Sequence, residues 1–338
     1  MAKRFKIALI YSYNKDWVAG AYYIINLIQA LNRQSDESKP ELIILSHSQE
    51  EFQTVKDTGY PYLKFQQLYE KDFWVSYTLP ERIVNKTCRF LVGKNSIYRE
   101  QTYKRLGIKL DLLFPASTHI YFSDVKNKLF WIPDFQEHFL PQFFSEDEIN
   151  SRKAYQKSLA DNSCPIIFSS NNALEHFKEI YPNSRSKTFV LQFAVTHPNY
   201  KSISTDTLFV KYNIDKPYFF CPNQVWAHKN HIAVLKAVKI LKTEGTKDLL
   251  VVFSGKEVDY RNPAFFGELK NYITENGIED CVRFLGFIDR EDQLQLMNNS
   301  ISVIQPSLFE GWSTVIEDAK SMGQYVIASN LEVHQEQL

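Results

Sequence analysis

The chain has 338 residues, more than one hydrophobic core usually supports, so two domains of roughly 150 residues each are expected. Apolar residues make up 44% and charged residues 23%, an ordinary globular balance that argues against disorder. The formal net charge of zero gives no reason to expect a nucleic-acid partner.

In chain order, FKIALIYSY (5–13) reads as a first strand, not as a signal peptide. A helix follows near 20–33, with Tyr23, Leu27, Ile28 and Leu31 on one face. Further strands are LIILSHS (42–48), YLKFQQL (62–68), DLLFPAS (111–117), KLFWIPDF (128–135), PIIFSS (165–170) and KTFVLQFAV (187–195). Helices fit at about 81–105, 146–161 and 172–181. The polar stretch 196–206 reads as a linker between an N-terminal domain, 1–196, and a C-terminal domain, 207–338. In the second half, strands at 218–224, 249–255, 282–288, 301–307 and 325–329 alternate with helical patterns at 230–244, 263–276, 290–299 and 314–322. Short connections between alternating strands and helices predict parallel sheets with crossover helices. The fold class is therefore α/β, two doubly wound Rossmann-like domains facing across a cleft, with ligands at the carboxyl ends of the strands. The chain ends soon after its last strand, where such a domain usually continues. Early closure and a truncated form are both expected readings.

No apolar run reaches the ~20 residues of a membrane span, and a cytoplasmic location is expected. Cys88, Cys164, Cys221 and Cys281 lie far apart and read as free thiols rather than disulfides or zinc ligands. Residues 81–109 carry eight basic residues against Glu81 and Glu100, and Arg82, Lys86 and Arg89 share a helix face. That face suits peripheral contact with anionic lipid on the inner face of the membrane, although a solvated face explains it equally well.

The densest constellation is PSLFEGWSTVIEDAKSMG (306–323). A strand ends at Pro306-Ser307, a loop carries Glu310 and Gly311, and a helix begins near Ser313 or Thr314, either of which can cap it. Free amides in the first turn favour a phosphate, Gly311 permits close backbone approach, and Asp318 lies one turn inside. On the residues alone, a capped helix with a solvated acidic face accounts for the segment as well as a binding site does.

This segment resembles the donor-site motif of retaining GT-B glycosyltransferases of family 4. The matching residues are Glu310-Gly311-Trp312-Ser313 and, eight positions after Glu310, Asp318 where the family has Glu. The resemblance continues through AKSMGQYVIASN (319–330). CPNQVWAHKNH (221–231) resembles the family's diphosphate-binding segment, with Lys229 in the lysine position and Gln224 where arginine is usual, a variant of a bacterial subgroup. DWVAGAYYIINLIQAL (16–31) resembles the first βα loop, with Gly20 at the helix start. WIPDFQEHFLPQFFS (131–145) resembles the N-terminal segment facing the cleft and offers Asp134 and His138 as acceptor-side groups. Gly255, Phe287 and Ile288 match donor-pocket positions.

The resemblance implies a retaining, metal-independent transfer of a sugar from a UDP- or GDP-sugar, with no further cofactor, to a glycan or lipid-linked acceptor. Surface polysaccharide or glycolipid assembly is the implied setting. Glu310, Lys229 and His138 are the expected catalytic groups. The donor set adds Gly20, Gln224, Gly255, Phe287, Ile288, Gly311, Trp312, Ser313, Thr314 and Asp318. A sugar-nucleotide epimerase and a non-catalytic nucleotide-sugar-binding protein are the alternatives.

Overall fold

The computed structural model describes residues 4–13, 18–68, 79–92, 106–116, 122, 125–202 and 204–338. The chain divides into two compact units. One comprises Met1–Trp131, Leu159–Ile167 and Arg185–Thr188, the other Ile132–Ser158, Phe168–Ser184 and Phe189–Leu338. Segments 132–158 and 168–184, read from the sequence as part of the first domain, thus group with the second half.

The first sheet contains β1 (Lys6–Ile10), β2 (Glu41–Ser46), β3 (Leu63–Gln67), β4 (Leu112–Ala116), β5 (Lys128–Ile132), β6 (Ile166–Phe168) and β7 (Thr188–Val190), in the order β3-β2-β1-β4-β5-β6-β7. β1 runs parallel to both β2 and β4. Its crossovers include α1 (Val18–Asn32), α2 (Gln49–Lys56) and α3 (Leu79–Val92). Leu42, Ile43, Ile44 and Leu45 are all buried, as expected of a strand covered on both faces. The expected helix over 81–105 is described as far as Val92, and 93–105 lie outside the described residues. Helices α4 (Gln136–Phe139), α5 (Glu146–Asp161) and α6 (Asn171–Ile180) follow.

The second sheet holds β8 (Phe219–Cys221), β9 (Val251–Phe253), β10 (Val282–Phe284), β11 (Val303–Gln305) and β12 (Val326–Ala328), ordered β10-β9-β8-β11-β12. Every pairing in it is parallel. Around it lie α7 (Thr205–Tyr212), α8 (His231–Thr243), α9 (Phe265–Glu275), α10 (Arg290–Asn298), α11 (Thr314–Met322) and α12 (Glu332–Gln337). One core cluster packs Val234, Leu235 and Val238 of α8 with Leu269 and Ile273 of α9 on one side of the sheet. Another gathers Leu208, Leu296, Met297 and Ala319 on the other. Strand order reverses between β8 and β11, so the crevice beyond their carboxyl ends is the place where a doubly wound sheet accepts a ligand.

The stretch 196–206 holds a 3-10 turn at Tyr200–Ser202 and runs into α7. Cys221 and Cys281 are buried, Cys88 and Cys164 partly so, and all four are free thiols. Among the described residues no helix is long and apolar enough to cross a membrane.

Candidate functional site

The loops that leave β8 and β11 meet at the switch point. After β8 the chain passes Asn223 and Gln224, makes a 3-10 turn at Ala227–Lys229, and enters α8 through Asn230 in the left-handed conformation. Asparagine tolerates that conformation better than most residues do. After β11, Pro306 to Trp312 form the loop that precedes α11. Besides the Lys229–Glu310 pair, three bonds join the two loops. Asn223 donates its side-chain amide to Gln305 Oε1 at 2.9 Å, the Leu308 N–H donates to the His228 carbonyl at 2.8 Å, and Asn230 donates to the Pro306 carbonyl at 3.1 Å.

Glu310 sits at the centre of this junction. Its Oε1 accepts from Lys229 Nζ at 2.5 Å, Gln305 Nε2 at 2.7 Å and Ser307 Oγ at 2.7 Å. The Lys229 and Glu310 side chains are 18% and 10% exposed, so the pair is shielded but still open to water. The structure therefore brings together the lysine and glutamate expected from the sequence. It adds Asn223, Gln305 and Ser307, which sequence reasoning missed. The available signal was the amide residue Gln305 at the end of a strand run, ISVIQPS.

Two glycines in the expected donor set are held by protein neighbours. A Cβ on Gly311 would lie 2.4 Å from the Pro133 carbonyl oxygen and 2.9 Å from Asp134 Cβ. One on Gly255, whose φ is +146°, would lie 2.3 Å from the Asn223 carbonyl oxygen. In both places it is another stretch of backbone that needs the missing side chain. Gln224 leaves its Oε1 buried without a hydrogen-bond partner among the described residues.

Of the two candidate caps, Ser313 is the N-cap of α11, and its Oγ accepts from the Ile316 N–H at 3.3 Å. The Ser313 N–H itself donates to Gln337 Oε1 at 3.0 Å, and Gln337 Nε2 donates to the Ser313 carbonyl and to Glu317 Oε1. Thr314 is the first residue of the helix. Trp312 donates its indole N–H to the Phe193 carbonyl at 3.0 Å. The acids of α11 are not a solvated face: Glu317 and Asp318 are both buried. Asp318, 1% exposed, accepts from Arg290 at 2.6 Å and lies 3.0 Å from His197 Nε2. Phe287 is exposed, whereas Ile288 packs against the core beneath α10.

Asp134 lies beside Gly311. Its carboxylate accepts from the Gln136 N–H at 3.1 Å, and burial pushes its pKa upward against that bond. His138 is exposed on α4, edge-on to Phe139, which in turn stacks on Phe309 of the Glu310 loop at 5.7 Å. Gly20 lies in the first turn of α1, in the other unit. Beneath the site, burial drives His228 well below its ordinary range, and the charges of Lys229 and Arg261 reinforce the shift. His231 is brought down to about 4, again mainly by burial. Among the described residues no cluster of three histidines, cysteines or acids could hold a metal ion.

Solved structures with the same fold include a glycosyltransferase from Rickettsia africae, 14% identical, with a TM-score of 0.62 over 98% of this chain and 80% of that one. Anabaena HepE, solved with UDP and glucose, is 14% identical with a TM-score of 0.61 over 98% and 82%. Sucrose-phosphate synthase from Thermosynechococcus elongatus is 17% identical with a TM-score of 0.59 over 97% and 82%. The comparison with curated proteins finds no match. The chain has the GT-B fold of two Rossmann-like parallel sheets, and residues 204–338, which carry Lys229 and Glu310, match the family of glycosyl transferases group 1.

Proposed function

We propose that the chain is a glycosyltransferase that moves a sugar from a UDP- or GDP-sugar to an acceptor hydroxyl with retention of configuration. The observation that carries this reading is the Lys229–Glu310 pair at the switch point of the second sheet. Charge develops on the leaving diphosphate during transfer, so fixed positive groups near it lower the barrier most. Lys229 supplies an ammonium, and the first turn of α11 adds backbone N–H groups and the positive end of its dipole. Glu310 exchanges the Lys229 ammonium for sugar hydroxyls when the diphosphate takes the lysine. Asp134 and His138 are the acceptor-side candidates, and Gly20, Gln224, Gly255, Phe287, Ile288, Trp312 and Asp318 complete the proposed donor set. The structural resemblance to HepE, which was solved with UDP and glucose, supports a nucleotide-sugar donor.

Glu310→Ala and Lys229→Ala are each expected to lower sugar transfer by ~10²-fold or more. Near-wild-type rates in both variants defeat the assignment. A binding protein without transfer is the second reading. The prior engagement of Asp318 by Arg290 and His197 favours it, because that acid then offers less to a ribose. Nucleotide-sugar binding with no transfer over a broad acceptor panel would select that reading.

We further propose that α3 docks on anionic lipid on the inner face of the membrane, where a lipid-linked acceptor is held. Its described part exposes Leu79, Ile83 and Phe90, the last 90% open to solvent, and Arg82, Lys86 and Arg89 border this apolar stripe. A cytoplasmic enzyme of surface polysaccharide or glycolipid assembly fits that placement.

A further inference from the structure

Asp259 and Arg261, in the loop after β9, lie outside the expected donor set, yet they grip the turn that presents Lys229. Asp259 is buried, and its two oxygens do different jobs. Oδ2 accepts from the Ala227 N–H at 3.0 Å, the first residue of the 3-10 turn, and Oδ1 accepts from the Arg261 N–H at 3.0 Å. The Arg261 side chain, 7% exposed, lies with Nε 3.4 Å from Asp259 Oδ1 and donates from its terminal nitrogen to His228 Nδ1 at 3.2 Å. A guanidinium has donors only, so His228 Nδ1 must be the bare acceptor of a neutral ring. The burial of His228 keeps it in that form.

Three rings confine the same guanidinium. Its central carbon lies 4.9 Å from the centroids of Trp226 and Phe144 and 5.5 Å from that of Tyr260. Tyr260 is tied in turn, donating its hydroxyl to Glu148 at 3.0 Å. A charged, planar group held by rings and by two polar partners loses little further freedom in fixing what it touches. On this turn it touches Trp226 and His228, Asp259 holds Ala227 between them, and the Lys229 N–H closes the turn on the Trp226 carbonyl at 2.9 Å. His228 also receives the Leu308 N–H, so the grip extends to the loop that carries Glu310.

We propose that Arg261, braced by Asp259, is a positioning residue that sets where the Lys229 ammonium meets the donor diphosphate. This rests on the donor-site reading above. The test is calorimetric binding of UDP, GDP, ADP and dTDP, each beside its monophosphate, to wild type, Arg261→Met, Lys229→Ala and the double variant. Wherever a diphosphate binds wild type, Arg261→Met is expected to weaken it about tenfold. The monophosphate should change much less, and the double variant should bind no worse than Lys229→Ala alone. Arg261→Lys keeps the charge but cannot span Asp259 and His228. It should show the same pattern, and it serves where the methionine variant fails to fold. Additive losses in the double variant, or equal weakening of mono- and diphosphates, overturn the positioning role and leave the donor site standing. Wild type that binds none of the nucleotides overturns the donor site itself, and this inference with it.

Discussion

A methyl group at position 311 would press on the Pro133 carbonyl oxygen from 2.4 Å, well inside van der Waals contact. Neither partner can move cheaply, since both are backbone. Gly311→Ala is therefore expected to destabilise the fold by about 1–3 kcal/mol, the usual cost of overpacking a tight site. Equilibrium urea unfolding measures it, and an unchanged midpoint would show that the loop yields. The sequence pattern pointed to this glycine for a different reason, the approach of a ligand, and no local signal in EGWS names Pro133 as its neighbour. Glu310 and Lys229 were legible because each stands at a strand-to-helix junction in a familiar spacing. Asp259 and Arg261 were not, because their partners Ala227 and His228 are 32 and 33 residues away in the chain. Nothing in the run EVDYRN marks that contact.

At the scale of elements, the apolar runs located the twelve strands of the described residues to within a few residues, since a buried parallel strand is a short hydrophobic block between turns. The helices that escaped notice are the short or polar ones. α2, QEEFQTVK, buries only Phe52 and Val55 and is held by its Ser48 cap. α7 lies at the end of a stretch read as linker, and α12 lies beyond the last strand. Strand order was illegible, because periodicity reports which face is buried and not which strand lies alongside. α3 carries the prediction that belongs to this scale. If it docks on lipid, sedimentation with vesicles should rise with their content of anionic phospholipid and fall with salt. Arg82→Glu together with Lys86→Glu should abolish that dependence. Binding that ignores anionic lipid would exclude the docking.

For the molecule as a whole, the buried imidazoles give stability a direction in pH. His231 titrates near 4 in the folded chain, against about 6.5 when unfolded. Above the unfolded value both states are neutral and the group costs nothing. As pH falls below about 6.5 the unfolded chain takes up a proton that the folded chain refuses, and stability drops until about pH 4. His228, also lowered, acts in the same sense. Asp134, whose pKa is raised, acts in the opposite sense at the acid end, because there the folded chain binds the proton more readily. His231 alone is expected to remove about 2 kcal/mol between pH 7 and pH 5. His231→Leu should flatten the curve by that amount in unfolding measured across the range, and parallel curves would show that the ring is not the source.

The bond between Lys229 and Glu310 makes the resting site electrically self-balanced. A lysine that faced water alone would attract any passing anion, inorganic phosphate included. Here an arriving anion must outcompete a carboxylate that is also anchored by Gln305 and Ser307. A weak or singly charged visitor gains little from that exchange. Under the proposed reading, a diphosphate can take the ammonium while its sugar meets the carboxylate so released. The two halves of one ligand then satisfy the two halves of one broken pair, and selectivity for the complete donor follows from the pair itself.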